Sequence, residues 1–263
     1  MLPKEDLLKR AENREALARI IDRAEQAIQT WEPVATDFLT PPELFEAQAL
    51  FKTLTDVQTL AGGGYPQAER QRLMISRSEI PFDEAAAGGP VPLAALSIAG
   101  NFLFDTASHR DFLGSLLGTG IVREKLGDII VLGERGAQAI VVPELADFLT
   151  TSLVQVRSVP VKTQPIDISE LRVREPRRKE ITTVEASMRL DAVASAGFGM
   201  SRSKMVDLIT AGDVRVNWQP VTQSSHSLQT GDLVAIRGKG RLEIGDVAVT
   251  KKQRYRVQLT RLV

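Results

Sequence analysis

Residues 187–241 read SMRLDAVASAGFGMSRSKMVDLITAGDVRVNWQPVTQSSHSLQTGDLVAIRGKGR. Apolar residues recur at helical spacing in the first half and alternate in the second, so the stretch predicts two helices followed by strands. Ser187 can cap a helix with Leu190, Val193 and Ala194 on one face, ended by Gly197 and Gly199. Ser201 can cap a second helix with Met205, Val206 and Ile209 inward, ended by Gly212. Val214-Arg215-Val216 alternates as a strand, Asn217 to Pro220 turns, and Gly231-Asp232 feeds the strand Leu233 to Ile236.

Two features of this stretch carry chemistry. Ser201-Arg202-Ser203-Lys204 lies at a helix start, where free amides and the helix dipole favour a phosphate, with two cations and two hydroxyls around it. Arg237-Gly238-Lys239-Gly240-Arg241 spaces three cations with glycines that let a ligand approach the backbone. Arg189 and Arg215 add positive groups nearby. Each feature has a plainer reading, a helix cap and a solvated hairpin. Their co-occurrence in a positively charged segment favours RNA contact.

Charge is distributed to match. Of 33 Lys+Arg and 33 Asp+Glu in the 263 residues, the segment from Arg172 onward holds 17 and 9, leaving 16 and 24 before it. A basic C-terminal third on an acidic body suggests a polyanion-binding module. With no cysteine, disulfides, Cys-ligated metals and thiol catalysis are excluded. With only His109 and His226, a His-rich metal site is disfavoured, and no cofactor is expected. No apolar run is long enough to cross a bilayer, and the N-terminus MLPKEDLLKR lacks a signal core. These features predict a cytoplasmic protein without membrane insertion.

Toward the N-terminus, Leu17, Ile20, Ile21, Ala24, Ile28 and Trp31 recur at helical spacing, and Pro33 closes that helix. A second helix starts at Thr40-Pro41-Pro42-Glu43, a capping box with proline in the first turn, and runs to Gly62-Gly63-Gly64. Beyond Leu73-Met74-Ile75, a short strand candidate, the order is strand (Leu93 to Ala99), helix (Phe112 to Leu117), strand (Asp128 to Leu132), strand (Gln138 to Val142), helix (Pro143 to Leu153), strand (Val156 to Val161). That is the split βαβ, ferredoxin-like pattern. The fold class is therefore α+β. The expected domains are a helical N-terminal region (1–66), an RRM-like domain (67–168), a basic linker (169–180) and a C-terminal RNA-binding domain (181–263).

The C-terminal stretch resembles the S4 RNA-binding domain family. Arg189-Leu190-Asp191, Ser201-Arg202-Ser203-Lys204, Ile209, Gly212 to Asn217, Gly231-Asp232 and Arg237 to Arg241 carry the resemblance. Trp218 departs from it, since a small residue commonly follows the asparagine. The rest resembles YlmH-like bacterial proteins, whose form in oxygenic phototrophs is called photosystem II S4 domain protein. Phe38-Leu39-Thr40-Pro41, Gly63-Gly64-Tyr65, Ala68-Glu69-Arg70, His109 to Gly118 and Arg123 to Asp128 carry that likeness. The resemblance implies a helical N-terminal region, an RRM-like middle and an S4 domain. It also implies binding to structured RNA, ribosomal or transfer, on the large ribosomal subunit, with a role in handling stalled translation.

His109-Arg110-Asp111 could support acid–base work, but no nucleophile motif accompanies it, and a helix start explains it better. Arg110, Arg123 and Lys125 are candidates for a second RNA contact. The middle strands lack interleaved aromatics, which weighs against base stacking of the RRM kind. Two other functions compete with non-catalytic RNA binding. Arg189-Leu190-Asp191 is similar to the catalytic triplet of pseudouridine synthases, although too few residues follow for such a domain. The phototroph likeness suggests a photosystem II-related assembly factor acting through protein contacts.

Overall fold

The stripe Leu17, Ile20, Ile21 and Ala24 is buried along one helix in the computed structural model, which describes residues 2–9, 11–83, 89–174, 178–236 and 238–262. The chain forms two compact units, Met1–Val173 and Arg174–Val263. The first begins with α1 (Lys4–Leu8), α2 (Arg14–Thr30), β1 (Val34–Ala35), α3 (Pro41–Phe51), β2 (Val57–Gly62) and β3 (Arg72–Arg77). The expected capping box forms, with the Thr40 amide donating to Glu43 Oε2 at 2.7 Å.

Helix α3 stops at Phe51, however, and residues 57–62 form a strand antiparallel to β3. The glycines after it mark a tight crossing rather than a helix stop. A side-chain carbon on Gly63 would lie 2.6 Å from the Arg70 carbonyl oxygen. Strands β1, β3 and β2 make a three-stranded sheet in that order. The N-terminal region is therefore not purely helical. Arg72–Arg77, assigned by the expected division to the middle domain, is instead this sheet's central strand. Leu73 and Ile75 explain the placement, being fully buried in one cluster with α2 and α3.

The same unit continues with β4 (Ala94–Ala99), α4 (His109–Gly118), β5 (Leu126–Val131), β6 (Gly136–Val141), α5 (Ala146–Ser152), β7 (Gln155–Val156), β8 (Val159–Pro160) and β9 (Lys162–Ile166). The sheet order is β5-β6-β4-β9 with every pair antiparallel, the ferredoxin-like arrangement. One strand differs from the sequence reading. Val156 to Val161 is the small hairpin β7–β8, turned at Arg157 with φ 55°, and β9 closes the sheet.

Phe102, Phe112, Leu116 and Leu149 pack with Leu96, Ile98 and Ala139 on one side of this sheet. On the other side Ile140 packs with Phe38, Val142 and the half-buried Tyr65 and Leu171. Gln138 donates to the Glu170 carbonyl and accepts from the Arg172 amide. An RRM stacks bases on its open sheet face. Here protein covers the centre of that face.

The second unit holds β10 (Arg178–Glu185), α6 (Leu190–Phe198), α7 (Arg202–Thr210), β11 (Val214–Val216), β12 (Gln219–Pro220), β13 (Leu233–Ile236), β14 (Gly240–Val249) and β15 (Tyr255–Leu262). Its six-stranded sheet runs β10-β15-β14-β13-β11-β12. Leu190, Val193, Met205 and Ile209 pack on Val214, Val234, Leu242, Ile244 and Val257. Gly197 sits where a side-chain carbon would be 2.3 Å from Leu242 Cδ2, so glycine lets α6 lie close to β14.

Helix α6 starts at Leu190, later than a Ser187 cap would place it. Residues 188–190 instead bond to the segment around Ser227: Leu228 donates to the Met188 carbonyl at 2.8 Å, and Leu190 donates to that of His226 at 2.8 Å. The last strand begins at Tyr255, so Lys252 and Arg254 precede it. The tail of the expected linker, from Arg178, is already strand β10, paired along its length with β15.

Candidate RNA interface

Helix α7 presents the predicted cations. Ser201 is its N-cap, accepting from the Lys204 amide at 3.3 Å, and Arg202, Ser203 and Lys204 are exposed on the first turn. Arg202 is not isolated. Asp191, with a side chain only 4% exposed, lies between two guanidiniums. Arg189 Nε and Nη2 donate to Asp191 Oδ1 and Oδ2 at 3.0 and 3.1 Å. Arg202 Nε and Nη2 reach Oδ2 at 3.1 and 3.0 Å.

Burial opposes ionisation of Asp191, but the hydrogen bonds from Arg189 and Arg202 outweigh it and hold its pKa below the usual carboxylate range. The same contact raises the pKa of Arg189. One carboxylate thus neutralises one of two cations and orients both. Their side chains stay 40% and 57% exposed, and each fork of five N–H groups has used fewer than half. A net positive charge of one remains at a fixed place. This arrangement also counts against reading Arg189-Leu190-Asp191 as catalytic, since Asp191 is buried and fully engaged by its neighbours.

Beside this cluster is a cleft of about 460 Å³, lined by Lys204, Lys239 and Arg261 and by the backbone of Gly199, Gly238 and Gly240. Arg261, absent from the sequence reading, joins its two sides: Nη1 donates to the Phe198 carbonyl at 3.1 Å and Nη2 to that of Lys239 at 3.3 Å. Its signal was alternation. Val257 and Leu259 face inward, so Arg261 follows them on the same side. The candidate Arg237 lies outside the described residues.

Arg215 and Arg241 do not join this group. Their neighbours Val214, Val216 and Leu242 face the helices, so period-two alternation turns both arginines to the opposite side of the sheet. The candidate RNA-contacting cations of this unit are therefore divided between two faces.

The comparisons with known proteins agree along most of the chain. The family model "YlmH, N-terminal" matches residues 12–80, "Putative RNA-binding domain in YlmH" matches 92–170, and "S4 domain" matches 188–234. Ribosome-associated protein quality control protein P2 of Bacillus subtilis (strain 168) is 34% identical over 230 residues, covering 86% of each chain. This chain belongs to the YlmH family. Among solved structures, cell division protein ylmH from Streptococcus pneumoniae shares the fold, with a TM-score of 0.53 and 20% identity over 62% of this chain and 95% of that one. The YlmH N-terminal match ends at residue 80, so it includes β3, as the sheet does.

In the first unit of this YlmH-family chain, two of the three candidates for a second RNA contact are engaged by the protein itself. Arg123 Nη1 donates to the carbonyls of Leu126 and Gly127 at 2.5 and 3.2 Å. Burial, then the neighbouring charge of Arg70, lowers its pKa to about 10. Lys125 Nζ pairs with Asp37 at 2.6 Å. Arg110 is exposed on the first turn of α4. Arg70 and Arg72 are buried. Arg70 donates to the carbonyls of Leu126 and Phe38, and Arg72 to those of Thr36 and Pro92. Asp111 forms a capping box with Ser108, whose hydrogen bonds depress its pKa, so the His109-Arg110-Asp111 motif begins a helix. Among the described residues no cluster of His, Asp and Glu could hold a metal ion, and no helix is long and apolar enough to cross a membrane.

Proposed function

We propose that this protein binds structured RNA without catalysing a reaction on it, and that it acts in the cytoplasm on the large ribosomal subunit, on its ribosomal RNA or a bound tRNA, during rescue of stalled translation. The observation that carries the reading is the S4 match at 188–234, within which Arg202 and Lys204 stand exposed at the start of α7 beside the Arg189–Asp191–Arg202 cluster. The contact residues are Arg189, Ser201, Arg202, Ser203, Lys204 and Lys239. Free amides at the helix start bind one phosphate, and the cations bind its neighbours. The name of the Bacillus relative, which places that protein on the ribosome in quality control, supports the setting.

The domain limits proposed with this function are 1–173 for the two YlmH modules and 174–263 for the S4 module, following the two compact units. Filter binding of the full chain to transcribed large-subunit ribosomal RNA between 50 and 200 mM salt tests the reading. Phosphate contacts predict a steep loss of affinity as salt rises. Arg202→Ala with Lys204→Ala should weaken binding about tenfold and flatten the salt slope by roughly two. Affinity and slope equal to the native protein's would reject the surface.

A further inference from the structure

The strand register of the second unit places arginines in a line on the side of the sheet away from α6 and α7. Arg215 pairs with Ala235, Ala235 with Arg241, Arg241 with Leu262, and Leu262 with Arg178. Directly paired residues share a face. Arg215, Arg241 and Arg178 therefore occupy alternate strands of a single cross-strand row. With strands about 4.8 Å apart, neighbouring arginines are roughly 10 Å from one another. Arg178 is exposed, and Arg215 and Arg241 are half-buried.

An aromatic ring stands at this row. Asn217 and Trp218 both have positive φ, 49° and 67°, in the turn between β11 and β12. That turn puts the Trp218 ring 5.0 Å from the Arg241 guanidinium, within cation–π range, while Arg215 donates to the Trp218 carbonyl at 2.9 Å. The acids on this face lie one row further along, where Glu243 and Glu180 flank Thr260 in register, and Arg256 follows beyond them. Along these rows the described residues place four arginines against two glutamates, with the aromatic ring against Arg241.

We propose that the row Arg178–Arg241–Arg215, with Trp218, is a second RNA-binding surface, which takes an unpaired strand by phosphate contacts along the row and a base stacked on the indole. The inference rests on the RNA-binding reading above and adds to it a second face and a single-stranded target. Guanidiniums spaced along a line suit phosphates of one strand, and an indole beside a guanidinium suits the face of a base of any sequence. An acidic protein surface would pair with the charges, whereas a nucleic-acid strand uses the charges and the ring together.

Fluorescence anisotropy of the full chain with a labelled twelve-residue oligoadenylate, and with large-subunit ribosomal RNA, tests this. Arg178→Ala with Arg241→Ala should weaken oligoadenylate binding at least tenfold and lower the salt slope by about 1.4, the single-strand value for two contacts. Trp218→Ala should weaken it about tenfold with the slope unchanged, and Trp218→Phe should restore most of the loss. Arg241→Lys, which keeps the charge, should bind with an intermediate affinity, and thermal melts of all variants should match the native curve. If these variants bind oligoadenylate like the native chain while Arg202→Ala with Lys204→Ala loses ribosomal RNA, the second surface is wrong and the first stands. If neither set alters any RNA binding, both readings fall. If the sheet variants keep RNA binding but no longer sediment with ribosomes, the row contacts protein and the proposal is overturned.

Discussion

In the first unit Arg70, Arg72, Arg123 and Lys125 direct their charges at the protein's own carbonyls and at Asp37, whereas in the second Arg202 and Lys204 stand at the surface beside a cleft. Both regions are read from sequence as runs of cations near glycines and helix starts. The difference lies in what surrounds them. Residues 63–72 cross the edge of the middle sheet, where Asp128 accepts from the Tyr65 hydroxyl and the amides of Glu69 and Arg70. Carbonyls left without strand partners at that crossing need donors, and arginine's fork reaches several at once. At the start of α7 the carbonyls are bonded within the helix, so its cations are left to the solvent side.

Four measurements would sharpen or break this contrast. The largest effect is expected for Arg70→Ala, which leaves the Phe38 carbonyl without its donor and the Leu126 carbonyl with that of Arg123 alone. Urea denaturation should show a loss of about 3 kcal/mol, from one buried acceptor left unsatisfied at roughly 1–3 kcal/mol and one charged hydrogen bond lost at roughly 1.5–3 kcal/mol. Undiminished stability would mean that Arg70 is a surface ligand like Arg202.

Next is Asp191→Asn. At neutral pH it should cost the second unit roughly 1–2 kcal/mol by weakening two charge-assisted contacts. In the native chain the folded pKa of Asp191 is depressed, so its contribution is present above the ordinary carboxylate range near pH 4 and is lost as pH falls toward the folded value. The asparagine variant should show a flatter fall in melting temperature on acidification, and an unchanged acid profile would remove Asp191 as the organiser of the cluster.

Third, Arg202→Ala with Lys204→Ala should reduce ribosomal RNA affinity about tenfold, near 1.4 kcal/mol, with the fold retained and a modest drop in melting temperature from the Asp191 contact that Arg202 gives up. A loss of folding in place of a loss of binding would make the second unit resemble the first.

The smallest effect is expected for Arg110→Ala, the exposed member of the first unit's trio. Without Arg123 and Lys125 beside it as ligands, its removal should change RNA affinity less than about twofold, as for an isolated surface charge. A tenfold loss in the same filter assay would return the first unit to the RNA interface.

Much of the fold was legible. Local rules located the Thr40–Glu43 capping box, the βαββαβ order, the Ser201 cap and the Gly212 stop, because each depends on residues a few positions apart. Residues 57–62 were misread because Gly62-Gly63-Gly64 looks like a helix end from one side, and only pairing with β3 shows it to be a crossing. The closing strand was misplaced for a similar reason. The apolar positions from 156 to 161 fit a strand equally well whether they span a sheet or fold back at Arg157.

The sequence by itself determined the kinds of element, their order, and which segment carries excess positive charge, since periodicity and composition are local properties. Which way each cation points was decided only by tertiary structure. Arg215 and Arg241 are separated from Lys204 by the thickness of a sheet, and Arg123 differs from Arg110 by the carbonyls around it. A side chain's partner is set by which backbone groups the fold leaves unpaired near it, and those groups come from residues distant in the chain.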